Sequence, residues 1–104
     1  MASGTQSHTT VTKSSGMKFA QYDSIFVAQG YFIGDGTSEI NLNLPIALYT
    51  YNNAIPCVVR RRDTGVISTY YITNEGKING WDGSTARIFE NDKEYWLTFV
   101  YIIQ

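Results

Sequence analysis

The sequence predicts an all-β fold, an antiparallel sandwich or barrel, from three observations. Turn signals built on Gly, Asn and Asp recur about every eight to twelve residues, the rhythm of short antiparallel strands. The runs between them are rich in β-branched and aromatic residues, with eight Tyr, five Phe and two Trp in 104 residues. No window sustains apolar residues at i, i+3, i+4 and i+7, so no amphipathic helix is expected.

The length allows one domain. Residues 1–16, MASGTQSHTTVTKSSG, hold Ser, Thr and Gly with almost nothing to bury. They read as a linker, a flexible tail or an expression remnant, which leaves 17–104 as the domain. Lys18 to Tyr22 reads as a short strand, and Ser24 to Ile33 as a longer one in which Gly30 marks a bulge or a close contact. Gly34-Asp35-Gly36 is a turn signal. Glu39 to Leu44 then alternates strictly, sending Ile40, Leu42 and Leu44 to a core and Glu39, Asn41 and Asn43 to water. A hairpin between this strand and the run before Gly34 is expected.

Pro45 ends that strand or puts it at an edge. Ile46 to Tyr51 is a short apolar run, Asn52-Asn53 a turn, and Ile55-Pro56 the start of an extended segment. Cys57 to Arg62 and Val66 to Ile72 flank the turn Asp63-Thr64-Gly65. A second turn, Asn74-Glu75-Gly76, leads into Lys77-Ile78-Asn79, so a meander is expected. Gly80 to Thr85 reads as a loop, Ala86 to Phe89 as a short strand, and Glu90 to Lys93 as a polar turn.

The final run, Tyr95 to Gln104, contains no Gly or Pro and reads as the strand around which the domain is organised. Alternation puts Tyr95, Leu97, Phe99, Tyr101 and Ile103 on one side and Trp96, Thr98, Val100 and Ile102 on the other. Both sides are apolar, whereas a half-exposed strand has one polar side. One small core covers one side. A second sheet or a second copy of the chain must cover the other, and the second copy is the favoured reading. Tyr95, Trp96, Phe99, Val100 and Tyr101 are the candidate contacts, and either side of the strand could face outward.

Composition excludes several function classes. The net charge is −1 with 16% charged residues, which makes no electrostatic case for nucleic acid or a membrane surface. The polar first residues lack an apolar run, so no secretory leader is expected, and no stretch here is long enough to cross a bilayer. The single cysteine, Cys57, makes no disulfide within the chain and reads as a small buried hydrophobe. The single histidine, His8, lies in the tail, so neither a Ser/His/Asp triad nor a Cys/His metal cluster is expected. Asp35-Gly36 and Asp82-Gly83 are isolated pairs, short of a calcium loop. Gly34-Asp35-Gly36 precedes no helix, so no phosphate cradle is expected. The sequence therefore predicts no cofactor, no metal and no catalytic residue.

Asp63-Thr64-Gly65 matches the motif of retroviral-type aspartic proteases, in which two subunits each supply one Asp to a shared proton. Here Arg60, Arg61 and Arg62 precede it and would keep the carboxylate ionised and wet. The hairpin-turn reading is preferred. The arginines themselves suit a sulfated or sialylated glycan, or a carboxylate, through forked donors. Arg61 points opposite to Arg60 and Arg62, so the run is not one patch. The competing reading is a solvated strand end with intersubunit salt bridges. Trp81, in a Gly-flanked loop, reads as a binding anchor or as a side chain folded back onto the core. Tyr70 and Tyr71 face opposite ways, so at least one belongs to the core or an interface.

The segment Thr98-Phe99-Val100-Tyr101-Ile102-Ile103-Gln104 resembles the closing strand of adenovirus fibre heads, which characteristically runs Thr-Phe-x-Tyr-Ile-x-Gln. The matching positions are Thr98, Phe99, Tyr101, Ile102 and Gln104. Ala47-Leu48-Tyr49-Thr50, with Pro56-Cys57 after it, echoes the shaft–head junction of that family, but too little chain follows Thr50 for a usual head, and this echo is set aside. The resemblance implies a homotrimeric antiparallel β-sandwich on a fibrous shaft. Residues 1–16 could then be a shaft end. The chain length suits a compact head of reptilian or avian type. The implied function is attachment to a host-cell receptor, protein or glycan, at the virion surface after synthesis inside the host cell. Arg60, Arg61, Arg62, Trp81 and Tyr70 are then the candidate receptor contacts, chosen from their residue types and not carried over from the family. A bacteriophage tail-fibre tip would share this physics. A protease would instead be dimeric and cleave peptides.

Overall fold

The computed structural model describes residues 10–14, 16–46, 48, 55–80 and 85–103. They form β1 (Thr10–Ser14), β2 (Met17–Tyr22), β3 (Ile25–Ile33), β4 (Glu39–Asn41), β5 (Ile55–Arg61), β6 (Ile67–Ile72), β7 (Lys77–Asn79) and β8 (Glu94–Ile102). All pairings are antiparallel, in the order β1-β2-β3-β8-β5-β6-β7-β4. No helix occurs among the described residues.

The expected organiser takes the central position. β8 pairs with β3 along its whole length, from Glu94 opposite Ile33 to Ile102 opposite Ile25. Its other edge pairs with β5, from Thr98 opposite Val58 to Tyr95 opposite Arg61. A strand with a neighbour on each edge satisfies its backbone on both sides, which suits a run free of Gly and Pro. The meander of β5, β6 and β7 also forms as expected.

Three local expectations change. β4 does not form a hairpin with β3; it pairs with β7, Ile40 opposite Ile78. β3 is already occupied by β2 and β8, so the chain must travel to a free edge. β4 is also short, because Asn43 adopts φ 56 and its N–H donates to the Asn41 side chain at 2.8 Å. Asn tolerates that left-handed conformation better than most residues. Leu42 is nevertheless buried, with Ile40 and Leu44 half-buried, as the alternation implied.

Ala86 to Phe89 makes only an isolated bridge at Ala86. This segment instead exchanges backbone hydrogen bonds with the β3–β4 connection, Gly36 N to Phe89 O and Phe89 N to Thr37 O, both at 2.8 Å. Finally, β1 lies inside the stretch that composition sets aside as a tail. Its backbone pairs with β2 from Thr10 to Ser14. Ladder hydrogen bonds need no apolar side chains, so hydropathy does not announce such a strand.

The inner side of the sheet carries the core. It gathers Phe19 from β2, Phe26 and Phe32 from β3, Val59 from β5, Ile72 from β6 and Leu97 and Phe99 from β8. Phe89 enters this cluster from outside any strand, its ring edge-on to Phe32 and Tyr95 at 5.2 Å each. Cys57 is buried there too, and burial pushes its thiol up to about 12, so it acts as the expected small hydrophobe. Gly30 is a close contact: its φ is +140, and a Cβ there would sit 2.2 Å from the Gly16 carbonyl oxygen.

Candidate functional site

The two sides of β8 have separate fates. Tyr95, Phe99 and Tyr101 are 3%, 2% and 7% exposed, so these candidate intersubunit contacts belong to the chain's own core. Trp96 and Val100 lie on the other side, which the described chain leaves open. Register extends this open side into a continuous surface. Val27 stands opposite Val100, Ile25 opposite Ile102, and Tyr31 opposite Trp96. Across β5 and β6, Val58 stands opposite Thr98 and Thr69, and Arg60 opposite Trp96 and Ile67.

The surface has two ends. One is apolar, with Val100 57% and Ile102 66% exposed beside Ile25 and Val27. The other is mixed. Tyr31 and Trp96 pack with ring centroids 5.1 Å apart, next to Arg60, Gln29 and Thr98. Contiguous exposed apolar residues call for an explanation that scattered single hydrophobes do not.

Salt bridges border it. Arg61 Nε meets Asp63 at 2.6 Å and Arg61 Nη1 meets Glu90 at 2.6 Å. Arg62 meets Glu94 at 3.2 Å, and Lys93 meets Asp63 at 3.7 Å. Each of the three guanidinium nitrogens of Arg61 already donates to a carboxylate, which weakens its candidacy as a receptor contact. Arg60, on the open side, has no carboxylate partner among the described residues.

The hydrogen bonds from Arg61 hold the Asp63 carboxyl below its usual range, and Glu90 likewise. Asp63 sits in an exposed turn that Gly65 closes with φ 74 and an N–H donated to Arg61 O at 2.8 Å. An ion-paired, solvated carboxylate is poorly suited to sharing a proton with a second one, as a protease dyad requires.

Tyr70 is a correction. It is 7% exposed, so it is a core residue and not a displayed contact, while Tyr71 faces the open side. The Tyr70 ring packs on Phe89 at 4.9 Å and lies under the Arg87 guanidinium at 4.2 Å. Trp81 lies outside the described residues. Arg87 itself carried no sequence signal, because a lone basic residue in a short mixed run resembles any solvated position.

Comparison with protein-family models, curated proteins and solved structures found no match. The fold and surface define the class on their own: an all-β protein built on an antiparallel sheet with one side packed and the other openly apolar. No helix among the described residues is long and apolar enough to cross a membrane.

Proposed function

We propose that this chain is the head of a viral fibre, a homotrimer that attaches the virion to a host-cell receptor, protein or glycan, without catalysis. In this reading the sheet closes into an antiparallel β-sandwich. The inner side of β8 packs the subunit and the outer side meets sister chains. One observation carries it: the longest-paired, most central strand leaves Trp96, Val100 and Ile102 open beside Ile25 and Val27. Sheet centres are normally the best-covered part of a β domain, so an apolar centre left open suits a surface that copies of the chain bury together. A net charge of −1 puts little repulsion between the copies. Three identical weak sites on one stalk raise avidity at a cell surface. Arg60 is the arginine most available to a receptor, because Arg61 and Arg62 are paired internally.

Light scattering on the purified chain tests the assembly. The expected mass is three times the 11.7 kDa subunit. A folded monomer at high concentration would remove the basis of the proposal, and a dimer would favour the protease-like alternative.

A further inference from the structure

A half-open cavity of about 270 Å³ lies on the side of the sheet away from Trp96, between β5, β6 and the segment that precedes β8. Buried Val59 and Tyr70 close its inner end, Thr64 and Ser68 contribute hydroxyls, and exposed Val66 and Ile88 border it. Arg87 also lines it and is held in place there. Its guanidinium carbon lies 4.2 Å from the Tyr70 ring centroid, its Nε donates to Gly80 O at 3.4 Å, and its Nη2 donates to Thr69 O. Every one of these partners is neutral. Among the described residues no carboxylate lies within ion-pair distance of Arg87. Arg61, the other cation on the cavity, is held by two carboxylates and contributes no unanswered charge.

We propose that this cavity binds one carboxylate group, carried on a ligand of monosaccharide or amino-acid size. Arg87 answers the charge, and the Ser68 and Thr64 hydroxyls supply further donors. Size sets the ligand class: drug-sized ligands need roughly 300–1,000 Å³, and this cavity falls just below that range. Charge sets the chemistry, since one fixed guanidinium balances one carboxylate. Hydrogen bonds to an ionised acceptor are roughly twice as strong as neutral ones, and a side chain already immobilised loses little freedom on binding. The site does not depend on self-association, so a monomeric result in light scattering leaves it standing.

The test is an NMR titration of the whole ¹⁵N-labelled chain with glucuronate and with N-acetylglutamate, against the neutral controls glucose and N-acetylglutamine. Saturable shifts at Ser68, Tyr70 and the Arg87 Nε–H are expected for the carboxylates and not for the controls. Arg87→Gln should weaken binding at least about tenfold. Ile88→Trp, which narrows the mouth and leaves Arg87 intact, should weaken it as well, and Arg60→Gln on the open side should not. A response to the sugar acid alone or the amino acid alone supports the site and names its source. A response to both supports the shared chemistry. No response to either carboxylate up to about 50 mM, an equal response to the neutral controls, or binding unchanged in both Arg87→Gln and Ile88→Trp would overturn the proposal.

Discussion

Phe99 and Val100 are consecutive in β8, yet Phe99 is 2% exposed against the core and Val100 is 57% exposed opposite Val27. Their chemistry is similar and only the pleat separates them. If the proposed trimer forms through the open side, this relationship divides the effects of substitution in β8 into two kinds, one acting on the subunit and one on the assembly.

Val100→Asp places a charge on the open side and removes nothing from the core. The variant should melt as a folded monomer, with light scattering giving a mass near 11.7 kDa. Phe99→Asp should instead fail to fold, because it buries a charge without a partner. Phe99→Ala should lose about 3–5 kcal/mol in a urea titration. A Val100→Asp variant that remains trimeric would place the contact elsewhere.

Phe89 is fully buried from a segment that is not a strand, its ring edge-on to Phe32 and Tyr95. Phe89→Ala should cost about 3–5 kcal/mol, as large as a loss from β8 itself. Near-uv circular dichroism should weaken with it, since the removed ring packs on three other aromatics. A change within about 0.5 kcal/mol would mean that the segment does not hold the core.

Gly30 and Gly36 separate crowding from backbone strain. Gly36 has φ +83 with open space around it, so Gly36→Ala should cost only the left-handed penalty, about 1–2 kcal/mol. At Gly30 a Cβ meets the Gly16 carbonyl oxygen at 2.2 Å, and the β2–β3 ladder must shift to admit it. Gly30→Ala should therefore lower the melting temperature more than Gly36→Ala. Equal losses would contradict the close approach.

Acid should weaken the fold through the Arg61 cluster. The ordinary pKa values of Asp63 and Glu90 are 3.8 and 4.5, and hydrogen bonds from Arg61 hold both lower in the folded chain. A depressed carboxyl contributes stability above its unfolded value and loses that contribution as pH falls through the folded one. Melting temperature should thus be flat down to about pH 5 and fall below about pH 4. Arg61→Gln should flatten part of that fall. Part should remain, because Asp35 is lowered separately by the Thr37 hydroxyl at 2.5 Å. An acid limb identical in Arg61→Gln and the parent chain would show that the cluster does not contribute.

Strands with strong side-chain patterns are legible in the amino-acid order alone, and β3, β6 and β8 run within a residue or two of their apolar segments. β1 is not, because its pairing is carried by backbone groups that composition does not report. The partner of β4 is not, because a turn at Gly34 is compatible with a hairpin until β2 and β8 are known to fill both edges of β3. For the site, the two-sided apolar character of β8 can be read directly. Its receptor candidates cannot: Tyr70 goes to the core, Arg61 and Arg62 to internal carboxylates, and Arg87 enters without a signal.

By itself the sequence determined the all-β class, the turns and the presence of two greasy sides on the closing strand, because alternation and turn chemistry are local properties. Only the tertiary structure decided which side is inside. That choice depends on which residues of β2, β3, β5 and the Phe89 segment converge on Tyr95, Leu97 and Phe99, and convergence across the chain is not written in any one stretch of it.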